Sequence, residues 1–238
     1  MNTTYIMGFW QIPTNKKHDM THYYRFMPKT FEMLAEKQIV FFYEDSDILN
    51  YVQSIVKSSH FIAIRLPVID LPTYSLTEAY LQSCKNQDNV ALRSVKDQKG
   101  LIHYAREYMQ SGEASYRKVI GIWTSKILLV ERIIAENPYM SSHFAWVDVS
   151  VSRFNTNYIL KKYDDTTITT PSNCMLYKGE LIANNASFMI SAKDTWLTFF
   201  PMYKAKLEAL RDSNYAHDEE TILHLMRKDR PDCLANLP

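Results

Sequence analysis

The 238-residue sequence predicts an α/β fold with a mainly parallel central sheet flanked by helices. Three observations carry this prediction. Near the start of the chain, short runs rich in β-branched and aromatic residues alternate with segments of helical spacing. Further on, a strongly patterned helix leads directly into another strand-like run. The composition, 46% hydrophobic and 22% charged, is that of a chain able to bury the core such a sheet needs.

The first three strands are read at "TYIMGFW" (residues 4 to 10), "QIVFFY" (38 to 43) and "HFIAIRL" (60 to 66). Between the first two, "YYRFMPKTFEMLAEK" repeats Phe31, Leu34 and Ala35 at helical spacing. Between the second and third, "DSDILNYVQSIVKSS" opens with acidic capping candidates and sets Ile48, Val52 and Ile55 on one face. Residues 67 to 120, with prolines first and then mostly polar residues, read as a mobile connection carrying one or two helices, the second around "LIHYAREYM". In "WTSKILLVERIIAE", Trp123, Ile127, Val130 and Ile134 form a core stripe, and Asn137 with Pro138 ends the helix. The next strand spans residues 144 to 151. The segments "TTITTPSNCMLYK" and "GELIANNASFMISA" suggest further β structure. A helix from an Asp194 cap, bent or broken at Pro201, and a last helix in "HDEETILHLMRKDRPD" complete the chain.

The charge and cysteine inventory excludes several classes. Lys plus Arg number 27 against 26 for Asp plus Glu, so no global field attracts nucleic acid, and an anionic partner needs a local site. Cys84, Cys174 and Cys233 fit neither a disulfide framework nor a paired zinc site. With neither a leader pattern at the N-terminus nor an apolar run of about 18 residues, the expected setting is the cytoplasm, with no transmembrane segment. No phosphate-binding loop, dinucleotide fingerprint, nucleophile elbow or His-Glu-x-x-His motif occurs, and only five glycines are present.

One residue stands out. In a regular strand over 144 to 151, Phe144, Trp146, Asp148 and Ser150 share one face, and Ala145, Val147, Val149 and Val151 share the core face. The first face turns polar toward the strand's C-terminal end, where ligands bind in open α/β sheets. A carboxylate there requires a cation, a metal or several hydrogen-bond donors. The alternative is a structural acid that caps a turn or pairs with Arg153.

"SKILLVERIIAENPYMSSHFAWVDVSVSR" resembles the central block of the HtrL/YibB-like proteins, in which a Ser-Lys helix ends in Asn-Pro and leads to a Phe-Ala-Trp-(Ile/Val)-Asp strand. "VFFYEDSD" and "DTWLTFFPMYKAKLEAL…NYAHDEETIL" are similar to further blocks of that family, in the same order. That family resembles glycosyltransferases of the GT-A type, with a Rossmann-like sheet. The resemblance implies one domain over residues 1 to 238, with a nucleotide-sugar-binding half (1 to 153) and an acceptor half with the C-terminal helices (154 to 238). It implies transfer of a sugar from a nucleotide-diphosphate donor to a glycan acceptor. It also implies Mn²⁺ or Mg²⁺ held against the diphosphate by an Asp-x-Asp, as Lewis acid and template. Asp148 falls on the first acid. Ser150 falls where the second acid stands in the family, a neutral and weaker ligand, which opens the alternative of a catalytically silent protein that binds a glycan or a partner protein.

Further candidates stand beside plainer readings. By resemblance, His217 or His224 would be a late metal ligand; the plainer reading is a solvated helical face with a Glu220–His224 pair. Asp218 would be the catalytic base or orient the acceptor, although acids are favoured at a helix start in any case. Lys126 would meet a phosphate or be solvated. Asp45 would accept hydrogen bonds from the nucleoside or cap a helix. Tyr5 and Phe9, with Trp10, would stack a base or belong to the core, and Arg25 would face an anion.

Overall fold

The computed structural model describes residues 2–15, 17–85, 99, 103–212 and 218–237. A seven-stranded sheet has the order β3-β2-β1-β4-β8-β5-β9. Its strands are β1 (Thr3–Phe9), β2 (Gln38–Tyr43), β3 (Phe61–Arg65), β4 (His143–Val147), β5 (Ile168–Thr170), β8 (Phe188–Ala192) and β9 (Leu234–Asn236). β1 to β4 run parallel, β8 pairs antiparallel with β4 and β5, and β9 is parallel to β5, so β8 alone is reversed. The two-residue strands β6 (Leu176–Tyr177) and β7 (Glu180–Leu181) form a separate hairpin turned by Lys178 and Gly179, both at positive φ.

Helices cover both faces because the central strands are apolar on both. On one face, Tyr5, Met7, Phe41, Ala145 and Val147 pack with Phe31 of α1 (Met20–Met33) and Val52 of α2 (Ser46–Ile55). On the other, Ile6, Val40, Phe144 and Trp146 pack with α4 (Glu113–Glu136), α5 (Lys193–Ala209) and α6 (Glu219–Asp229). The helix caps follow ordinary chemistry. Asp19 accepts from the His22 N–H, Asp45 from the Asp47 N–H and Asp218 from the Thr221 N–H. Pro28 inside α1 offers no N–H to the Tyr24 carbonyl, which the Tyr51 hydroxyl approaches at 3.4 Å. Asn137 ends α4 in the left-handed conformation, its side chain joined to Ser141 through both amide atoms.

Four expectations are corrected. The connection after β3 is in part core: short turns lead into α3 (Thr77–Lys85), and Val68, Leu71, Tyr80 and Leu81 are buried. The segment around "LIHYAREYM" forms a π-helix over His103–Gln110, and α4 begins at Glu113, ten residues before the predicted stripe. α5 is capped by Ala192 without a side-chain bond; Asp194 sits in its first turn, where the helix dipole favours an acid. The fourth strand ends at Val147, not 151. The Asp148 N–H makes the last bond to β8, at the Ser187 carbonyl, and the chain then turns through Val151–Phe154. Even so, Val149 and Val151 join the core face with Ala145 and Val147.

Candidate functional site

Beyond the C-terminal ends of β1 and β4, a narrow inner cleft of about 110 Å³ is lined by Lys17, Trp123, Lys126, Asp148, Ser150 and Arg153. It adjoins an outer cleft of about 600 Å³; Phe9, Trp10, Lys17, His18 and Tyr23 line both. Gly8 lies in the inner wall, where an added Cβ would fall 2.5 Å from the Trp10 ring. The outer cleft has an aromatic wall, with the His18 and His22 rings stacked at 3.7 Å and Tyr23 edge-on to Phe9 at 4.6 Å.

Lys126 is the hub. It sits on α4, facing the sheet, and its ammonium lies 2.8 Å from Asp148 and 2.6 Å from Glu219. Burial alone would lower its pKa, but the two carboxylates raise it above the ordinary lysine value, so it is a fixed cation. Asp148 accepts from the Trp146 indole at 2.9 Å and lies 3.8 Å from Arg153. Burial opposes its ionisation, and Lys126 and Arg153 reverse that, leaving its pKa below the ordinary value. Arg153, brought back by the turn after β4, donates to the Ser150 hydroxyl at 2.7 Å and to its carbonyl at 3.1 Å. Lys17 rests over the Trp123 ring at 5.0 Å and, among the described residues, makes no ion pair. Burial and the proximity of Lys99 lower its pKa.

Behind Lys126 a second network begins. Asp218 is buried at the N-terminus of α6, 2.8 Å from Lys99 and 3.2 Å from His103. Burial would raise its pKa, yet Lys99 and His103 hold it well below the carboxylate range. Burial pushes Glu219 up to about 7, against the pull of Lys126 and with help from Asp218 and Glu220. Glu220 pairs with Lys99 and accepts from the Ala186 N–H.

The structure therefore brings Phe9, Lys126, Asp148 and Ser150 to one cleft. Tyr5 is 5% exposed in the core under α1, because helices cover both faces of β1. Arg25 is exposed over the Phe26 ring. Asp45 is spent on the cap of α2. Asp218 caps α6 and faces Lys99 and His103, and neither cleft is lined by it. His224 is buried against Glu180 at 3.3 Å and Tyr177, and the Glu220–His224 pair does not form because Glu220 turns to Lys99. His217 lies outside the described residues. Sequence reasoning missed Lys17, Lys99 and His103, which come from segments distant from the strand, and read Arg153 only as structural. Arg153 had one signal: a cation five residues past an acid, on the turn that must follow the strand.

Among the described residues, the side chains of the inner cleft do not fit a divalent metal. Hard cations take several oxygen ligands, and here the single carboxylate of the cleft lies between Lys126 and Arg153, with the Ser150 hydroxyl engaged by Arg153. Among the described residues, no group of three or more His, Cys, Asp and Glu side chains is arranged to hold one.

No family model and no curated protein sequence matches the chain. Similar solved structures do exist. Core-mannan synthase A (CmsA/Ktr4) from Aspergillus fumigatus, in its Mn/GDP form, is 12% identical with a TM-score of 0.50, over 95% of this chain and 69% of that one. The glycosyltransferase GlyE of Streptococcus pneumoniae is 8% identical with a TM-score of 0.43, over 99% of this chain; its apo form is 9% identical with a TM-score of 0.45, over 100%. The chain spans 45% of the GlyE chains. The mainly parallel sheet flanked by helices is thus a glycosyltransferase-like fold. Among the described residues, no helix is long and apolar enough to cross a membrane.

Proposed function

We propose that the chain is a GT-A-type, HtrL/YibB-like glycosyltransferase domain that moves a sugar from a nucleotide-diphosphate donor to a glycan acceptor. The observation that carries this reading is the cleft at the C-terminal ends of β1 and β4, which combines an aromatic outer wall with cations at its inner end. A nucleotide sugar needs both features: a surface on which a base stacks, and positive charge for two phosphates. The fold is similar to that of core-mannan synthase A, whose structure is a Mn/GDP form. In this reading, residues 1 to 153 form the donor half, and residues 154 to 238 form the acceptor side.

The reaction forms a bond from an acceptor hydroxyl oxygen to the anomeric carbon and breaks the bond from that carbon to the diphosphate. The chain's residues bind and orient the donor. Phe9, Trp10 and Tyr23 offer faces and edges to the base, while Lys126 and Arg153 present fixed positive charge where charge develops on the leaving oxygen. Burial, then the nearby Asp148 carboxylate, pushes the Tyr23 hydroxyl up to about 12, so it stays protonated as a hydrogen-bond donor.

A second reading, a silent member of the fold that binds a glycan or a partner protein, is favoured by one observation. Asp218, which would serve as base, is buried and already engaged by Lys99 and His103. A panel of nucleotide sugars, offered with a mixture of oligosaccharide acceptors and assayed for released nucleoside diphosphate, separates the two. Consumption of one donor, lost in Arg153→Gln, is expected; no consumption of any donor moves the chain to the silent reading.

A further inference from the structure

We propose that the donor diphosphate is held by a clamp of side-chain cations, Lys126, Arg153 and Lys17, in the place where a divalent metal would act, and that Asp148 positions the clamp instead of ligating a metal. This rests on the donor reading above.

The charged side chains lining the inner cleft are three cations and one carboxylate, in a chain whose overall charge is close to balanced. Glu219 behind the cleft offsets part of that surplus at Lys126, and a bound anion complements the remainder. Each cation has a different standing. Lys126 is saturated by Asp148 and Glu219 and supplies fixed charge at the base of the cleft. Arg153 is partly exposed, is held by Ser150, and lies far enough from Asp148, at 3.8 Å, to turn its fork toward a phosphate. Among the described residues, Lys17 has the Trp123 ring against its ammonium and makes no ion pair, while Glu107, Glu219 and Glu220 act on it electrostatically. An ammonium kept this way, near another lysine, is relieved by an anion.

Asp148 then has a definite task. Its two oxygens reach Lys126 on one side and Arg153 on the other, and the Trp146 indole fixes its orientation. A serine at position 150 also acquires a reason: its hydroxyl and carbonyl hold the Arg153 guanidinium, which an acid there would neutralise.

The two roles for Asp148 predict opposite signs. If Asp148 ligates a metal, Asp148→Asn abolishes metal-dependent binding and Ser150→Asp improves it. In the clamp, Asp148→Asn removes a negative charge beside the diphosphate and tightens binding on the order of four-fold, from a unit charge at roughly 5 Å in water-like screening. Ser150→Asp weakens it by a similar factor. The test is calorimetry with ADP, CDP, GDP and UDP, on the full chain, in excess EDTA and in excess Mn²⁺. The expected result is one nucleotide bound equally in both conditions, tighter in Asp148→Asn and weaker by about ten-fold in Arg153→Gln, which loses a charged hydrogen-bond donor. Lys126→Ala is avoided because it leaves the buried Glu219 without its cation, and circular dichroism verifies the fold of each variant used. Binding that appears only with Mn²⁺ and disappears in Asp148→Asn overturns the clamp and leaves the donor reading standing. No binding of any nucleotide in either condition overturns both.

Discussion

Lys126 and Lys99 each hold two carboxylates, and the acids come from one run: Glu219 turns to Lys126, while Asp218 and Glu220 on either side of it turn to Lys99. Asp218 is the extended N-cap, and Glu219 and Glu220 in the first turn point about 100° apart, so a three-residue acidic stretch at the start of α6 serves two separate networks. The networks differ in balance. Around Lys99, Asp218 and Glu220 consume the charge, and the group does not line the cleft. Around Lys126, Arg153 and Lys17 add cations that the single cleft carboxylate cannot neutralise. The number of buried ion pairs thus does not distinguish a ligand site from a structural one. The surplus of one sign, at a cleft, does.

The largest effect that would break this comparison is on stability. Lys126→Ala leaves the buried Glu219 without its cation and the half-buried Asp148 with Arg153 at 3.8 Å and the Trp146 indole, and is expected to cost about 3–5 kcal/mol. Lys99→Ala leaves Asp218 with His103 and the Thr221 N–H, and Glu220 with the Ala186 N–H, and is expected to cost about 1–3 kcal/mol. Urea denaturation of both variants measures the difference; equal losses would place the two lysines in the same structural role.

A smaller effect sharpens the comparison through pH. Glu219 has a folded pKa of about 7 against an ordinary 4.5, so between these values the folded protein binds more protons than the unfolded chain, and stability falls as pH rises through this window. Asp148 and Asp218 have lowered folded values; their stabilisation is present above the ordinary 3.8 and is lost as pH falls below it, outside the Glu219 window. Glu219→Gln is expected to flatten the stability profile between about pH 4.5 and 7. An unchanged slope there would assign the titration to another group.

Much of the fold was legible because its strands are short apolar runs between capped helices. β2 was placed to the residue, and β1 and β3 nearly so. The strand carrying Asp148 was legible in its faces but not its end, since the stop is set by β8, a partner roughly 40 residues away. Asp148 was legible as an acid that needed a partner, and Lys126 as a cation that would meet a phosphate or be solvated, but not as the partner of Asp148. What was not legible is which cation meets which acid. Lys99, His103 and Lys17 reach the site from segments whose sequence carries no strand or helix stripe pointing there, and the split of Asp218, Glu219 and Glu220 depends on the orientation of α6. Tyr5 shows the reverse case: an aromatic residue on the first strand is a sound base-stacking candidate until α1 closes over it.

The central claim is that the surplus cations of the inner cleft meet a donor diphosphate, and a crystal of the chain soaked with the tightest-binding nucleoside diphosphate in the presence of EDTA tests it most directly. The account predicts the base against the aromatic wall of Phe9, Trp10 and Tyr23, and phosphate oxygens within hydrogen-bond distance of the Arg153 guanidinium and the Lys17 ammonium, with Asp148 still paired to Lys126. A nucleotide bound elsewhere on the fold, or phosphates turned away from Arg153 and Lys17, would contradict it.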